Sequence, residues 1–217
     1  MEYVKICGLK NIEDIKLCKN KNVTAVGFIY NVPKSPRNLN SVEINKILKK
    51  IPKEIRTVLV FKPKTISEVM ETIKTIETDL YQIHCSFNIR SLSNLSNDIK
   101  RKLIVALKVN SENKSLIIQD INLSDNQFFA FLLDSSEGQG IEIDYDLILE
   151  VLKKTNGTNI ILAGGISLNN VERIIKILKP FGIDVSSSLE SDKGIKDPNK
   201  IKKFLEKLIK IKQELVV

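Results

Sequence analysis

The sequence predicts an α/β protein folded as a single (β/α)8 barrel, with one domain over residues 1–217. Three observations carry this expectation. Short apolar runs rich in Val and Ile alternate with amphipathic, helix-like stretches along the chain, and strict alternation of that kind demands a parallel sheet. The 217 residues suffice for one sizeable core, a length at which α/β barrels form a single domain. The two segments best suited to holding an anion, Leu162-Ala163-Gly164-Gly165-Ile166 and Asp184-Val185-Ser186-Ser187-Ser188, come last in the chain. Barrels commonly build a phosphate site after strands seven and eight, whereas a doubly wound open sheet normally carries a glycine-rich loop after its first strand. Here the first run ends Cys7-Gly8-Leu9-Lys10.

Tyr3 to Cys7 reads as the first strand, and Asn11 is a suitable N-cap for the helix that follows. The second strand is Ala25 to Tyr30, with a helix from about Ser41; the third is Thr57 to Phe61, with a helix from Thr65. Leu80 to Cys85 and Leu103 to Val109 form strands four and five, followed by the weakest helical patterns, from about Ile89 and Ser111. Phe128 to Asp134 is the sixth strand and Tyr145 opens its helix. Asn159 to Ala163 and Ile183 to Ser187 are the last two, with helices from Ser167 and Asp197. In both final runs small residues at the strand end let backbone N–H groups approach an anion.

Composition excludes several classes. Apolar residues make up 42% and charged residues 28%, typical of a globular protein rather than a disordered one. The longest apolar runs are strand-sized, and the first residues lack a signal-peptide pattern, so a cytoplasmic location without membrane association is expected. Cys7, Cys18 and Cys85 lie far apart without CxxC spacing, which indicates neither a disulfide framework nor a zinc site. The formal net charge of +8 suits anionic small molecules. Basic residues are scattered along helical faces without interleaved aromatics, so no nucleic-acid partner is expected.

Several polar residues fall at predicted strand ends, where barrel enzymes place their chemistry. Alternation puts Tyr3, Lys5 and Cys7 on one face of strand one. Cys7 therefore closes that face, either as a small buried hydrophobe or as a reactive thiol. Asp134 closes strand six ahead of the glycine-bearing stretch Ser135-Ser136-Glu137-Gly138-Gln139-Gly140, long enough to cover a ligand. Partial burial would raise its pKa, as a general acid near neutral pH requires. His84, the only histidine, shares a face with Gln82, and a structural role is its default. Arg37, after Pro33-Lys34-Ser35-Pro36, has the fork that holds a carboxylate through two bonds. Lys5 and Asp184 stand two residues before Cys7 and Ser186 on strands that are neighbours in a closed barrel, so both should point inward and pair.

Together, Lys5-Ile6-Cys7-Gly8 with Asn11-Ile12-Glu13-Asp14, Gly27-Phe28-Ile29-Tyr30, Pro33 to Arg37, Gln82-Ile83-His84, Leu133-Asp134, Leu162 to Gly165 and Asp184 to Ser187 resemble the phosphoribosylanthranilate isomerase family, in register over nearly the whole chain. The resemblance implies a (β/α)8 barrel and an Amadori rearrangement in tryptophan biosynthesis, without metal or cofactor. It also implies roles: Asp134 as general acid, Cys7 as general base, Arg37 on the anthranilate carboxylate, Gly164, Gly165, Ser186 and Ser187 at the phosphate, and His84 lining the pocket. The implied partner is a small phosphorylated substrate, with monomer and homodimer both open. The chain departs from the family pattern at Cys85 and Ser188, where glycines are usual, in Glu137-Gly138-Gln139-Gly140, and by one extra residue between Gly27 and Pro33. Other sugar-phosphate isomerase barrels and a non-catalytic anion-binding or RNA-binding barrel are the alternatives.

Overall fold

A computed structural model describes residues 1–19, 22–124, 126–134, 143–155 and 157–215. Eight parallel strands form the barrel wall: β1 Tyr3–Cys7, β2 Ala25–Tyr30, β3 Arg56–Phe61, β4 Leu80–Ile83, β5 Leu103–Lys108, β6 Ala130–Asp134, β7 Ile160–Ala163 and β8 Gly182–Val185. Each pairs with the next, and β1 pairs with both β2 and β8, which closes the sheet and leaves the barrel without a free edge. Asn38–Leu39 adds a short parallel extension to β2.

Alternation along the strands sorts side chains into two layers. Val4, Ile6, Val26, Phe28, Leu59, Phe61, Ile83, Val105, Phe131 and Leu133 face outward and pack beneath the helices. Tyr3, Cys7, Ala25, Val58, Val60, Ile104, Ala106, Leu132 and Ile161 fill the barrel. The covering helices are α1 Ile12–Leu17, α2 Ser41–Leu48, α3 Ile66–Thr75, α4 Asn97–Lys100, α5 Lys114–Leu123, α6 Tyr145–Lys154, α7 Val171–Arg173 and α8 Pro198–Glu214. The expected caps form: Asn11 accepts from the Asp14 N–H, Thr65 from Glu68, and Asp197 from Asn199 and Lys200 ahead of Pro198. Asn40 and Glu43 complete a reciprocal capping box at α2.

Three expectations need correcting. The segment after β4 is a 3-10 turn, Ile89–Asn94, followed by the four-residue α4, whereas the helix after β5 runs a full ten residues, Lys114–Leu123. The helix expected from Ser167 begins at Val171, because Asn170 uses its side chain to accept from Ser167 N–H and to donate to Gly165 O. Beyond β8, Ser187–Leu189 forms a 3-10 turn, and an antiparallel strap, Glu190–Asp192 with Ile195–Lys196, precedes α8. Among the described residues no helix is long and apolar enough to cross a membrane.

Candidate active site

The polar residues gather where the strands end. Lys5, fully buried inside the barrel, donates from Nζ to Asp184 Oδ2 at 2.7 Å and to Gln82 Oε1 at 2.8 Å. The expected Lys5–Asp184 pair is thus present, placed by the direct register of these residues between β1 and β8. Because Gln82 turns its carbonyl oxygen to Lys5, its amide nitrogen faces His84 Nε2 at 3.2 Å. An amide donor there requires Nε2 to be the acceptor, so the His84 ring is neutral with its proton on Nδ1. Burial, reinforced by Lys62, Lys5 and Lys108, brings the His84 pKa down to about 4, in accord with that tautomer.

Cys7 ends β1 nearly buried, beside Gly27 of β2 in direct register. A Cβ at Gly27 would lie 2.7 Å from Lys5 Cε and 2.9 Å from Cys7 Sγ, so only glycine leaves room for both side chains. Burial pushes the Cys7 thiol up, and Lys5 acts against it. The thiol is therefore less acidic than a free cysteine, since Lys5 only partly offsets burial. Asp134 ends β6 in the inward parity of Ala130 and Leu132, half-buried, at the same end of the barrel. Residues 135–142, including the glycine-bearing stretch after it, lie outside the described residues.

Arg37 is clamped. Its Nε and Nη2 donate to Glu190 Oε1 and Oε2, each at 2.6 Å, a two-bond fork that fixes the guanidinium plane. Glu190 also accepts from Lys196 Nζ at 2.8 Å and from Gly194 N–H at 3.0 Å. Against the upward push of burial, the bonds from Arg37 and Lys196 bring its carboxyl down to about 2. The fork read as a seat for a substrate carboxylate thus already carries an internal one, leaving Nη1 outside the pair.

Gly164 and Gly165 have φ of 81° and 66°, left-handed conformations that a side chain would strain. Ser186 Oγ donates to Cys7 O at 3.1 Å, and Lys196 Nζ to Ser186 O at 3.0 Å. Ser188, a departure from the expected glycine, is absent from the positive-φ residues and donates from Oγ to Ile166 O at 2.6 Å, tying the two loops together. The N–H groups of Ser187 and Ser188 open a helical turn and so have no acceptor within it.

The family model for N-(5′-phosphoribosyl)anthranilate isomerase matches residues 4–207. The chain belongs to that family. Curated isomerases of this name from Clostridium acetobutylicum and Methanosarcina acetivorans are 32% and 30% identical, covering 98% and 94% of this chain and 100% and 92% of their own lengths. A solved phosphoribosyl anthranilate isomerase in complex with reduced 1-(o-carboxyphenylamino)-1-deoxyribulose 5-phosphate superposes with a TM-score of 0.77 at 28% identity, covering 95% of this chain and 97% of that one. The enzyme from Thermus thermophilus gives 0.78 at 25%, covering 96% and 99%.

The structure brings the sequence-predicted residues to one end of the barrel. Cys7, Ser186 and Arg37 are joined through Glu190 and Lys196, and Lys5 links to His84 through Gln82. Glu190, Lys196 and the reach of Gln82 were missed. Only Gln82 carried a signal, its shared strand face with His84; Glu190 lies 153 residues from Arg37, beyond any periodic pattern. Among the described residues no three His, Cys, Asp or Glu side chains are arranged to hold a metal ion.

Proposed function

We propose that this protein isomerises N-(5′-phosphoribosyl)anthranilate to 1-(2-carboxyphenylamino)-1-deoxyribulose 5-phosphate, with Asp134 as general acid and Cys7 as general base. The observation that carries this reading is that both groups close inward faces of the barrel, on β6 and β1, at the end where Gly164, Gly165 and Ser186 to Ser188 cluster. The phosphate sits against the amides of Gly164, Gly165, Ser187 and Ser188, with Ser186 beneath them, and Arg37 offers Nη1 to the anthranilate carboxylate. His84 lines the pocket as a neutral ring. The single barrel domain acts in the cytoplasm, as monomer or homodimer.

In the first step the anilino nitrogen expels the ring oxygen, which takes the Asp134 proton, leaving an iminium at C1′. Cys7 then removes the C2′ proton, the electron pair neutralises the iminium, and the enolamine tautomerises to the ketone. The iminium helps Cys7: a positive charge arriving beside a thiol held up by burial favours the thiolate when it is needed. Freshly generated substrate, supplied without metal or cofactor, should be turned over by the wild-type protein. Asp134→Asn and Cys7→Ala should each lose at least about 10²-fold in kcat with unchanged circular dichroism. A folded wild-type protein that leaves the substrate untouched overturns the assignment.

A further inference from the structure

The reaction leaves a buried charged pair inside the barrel unused. We infer that the Lys5 ammonium is the resident counter-ion of the Cys7 thiolate, with Asp184 and Gln82 as positioning residues that aim it; this rests on the reading of Cys7 as the base. An ammonium has three N–H donors. Asp184 Oδ2 and Gln82 Oε1 take two of them, at 2.7 and 2.8 Å. The same ammonium and Cys7 Sγ crowd one point: a Cβ on Gly27 would lie 3.2 Å from Lys5 Nζ and 2.9 Å from Cys7 Sγ. The bare glycine backbone therefore lets nitrogen and sulfur share one pocket on the inner wall, with the third donor left for the sulfur.

A purely structural role explains this arrangement poorly. Buried ion pairs recover little more than their desolvation cost, and apolar packing of the same volume serves stability as well or better. Beside a thiol that must ionise, a fully buried cation has a specific use. The titratable and charged groups acting on or responding to Cys7 are Lys5 and Tyr3 from its own strand, Asp184 from β8, Arg37 from beyond β2 and Lys196 from the strap. Lys5 exerts the largest charge effect on Cys7; it favours the thiolate, and Asp184 opposes it. Lys5 itself stays protonated, since Asp184 and Cys7 together outweigh the pull of burial.

The two partners therefore act on Cys7 with opposite sign. Lys5→Met should slow alkylation of Cys7 by iodoacetamide about tenfold at pH 8, one pH unit in the ionisation midpoint. Asp184→Asn keeps an acceptor for Lys5 but frees its charge, and should speed alkylation several-fold. Peptide mass spectrometry separates Cys7 from Cys18 and Cys85, whose thiols are both pushed up to about 12 by burial. Damage to packing alone would move both variants the same way, and that result overturns the inference. Should Lys5→Met fail to fold, Asp184→Asn decides: alkylation at or below the wild-type rate sinks the proposal. The acid limb of kcat/KM, measured on the same proteins, tests the parent reading separately. If alkylation shifts as stated while that limb stays fixed, Lys5 is the counter-ion and Cys7 is not the base.

Discussion

The two ends of the barrel interior are built from the same strands by opposite means. At the N-terminal end Tyr3, Phe129 and Phe181 form an aromatic plug, with Tyr3 stacked on Phe181 at 6.1 Å and edge-on to Phe129 at 5.8 Å, and Arg56 lies over the Phe129 ring at 5.6 Å. Two residues further along the inward face of β1, contact gives way to hydrogen bonds: Asp184, Lys5, Gln82 and His84 make a polar chain across the barrel. The plug gains from area and ring geometry, which tolerate small shifts. The chain gains only while each donor meets its acceptor, because an unpaired polar group in that interior is costly. One end should therefore govern stability and the other activity.

The largest effect should come from the plug. Phe129→Ala should cost about 3 kcal/mol of unfolding free energy, measured by urea denaturation, with kcat of the folded fraction within about twofold of wild type. A tenfold fall in kcat would show that the two ends are coupled. At the other end, Glu190→Gln should raise KM about tenfold, roughly 1.4 kcal/mol, with a smaller change in kcat, because Arg37 loses the carboxylate that fixes its plane. An unchanged KM would place Arg37 outside carboxylate recognition.

His84 separates the ends by pH. Its pKa falls from 6.5 to about 4 on folding, so below pH 6.5 the unfolded state takes up a proton that the folded state refuses. Its stabilising effect is complete above pH 6.5 and disappears as pH falls toward 4. His84→Gln should flatten the stability profile across that window. A profile as steep as wild type would assign the acid sensitivity to other groups. The smallest effect is Tyr3→Phe: the Tyr3 hydroxyl is buried with no hydrogen-bond partner among the described residues, so its removal should leave stability equal or higher by up to about 1 kcal/mol, read from the urea midpoint.

The barrel was legible because its signals are local. β1 and β2 follow the sequence reading residue for residue, since Val4, Ile6, Val26 and Phe28 mark the outward layer while Tyr3, Cys7 and Ala25 alternate with them into the barrel. β4 ends at Ile83, two residues earlier than expected, although His84 N–H still bonds Phe61 O at 3.1 Å as the chain turns into the mouth. Helix starts slipped where Asn side chains competed with the helical backbone: Asn110 accepts from the N–H groups of Glu112 and Asn113, which delays α5 to Lys114. Within the site, Cys7, Lys5 and Asp184 were placed by parity and strand order alone. Glu190 was invisible because its partner is fixed by the strap's fold-back across the barrel mouth, which no spacing records.

That strap makes the mouth a gauge of length. Glu190 and Lys196 join Arg37, proposed to grip one terminal anion of the substrate, to Ser186, next to the proposed seat of the other, through bonds of 2.6 to 3.0 Å. The two proposed grips are thus linked through one hydrogen-bonded frame within the protein. On that reading, a compound carrying the same phosphate and carboxylate one methylene further apart should keep every charge and bind more weakly, discrimination by distance rather than by charge.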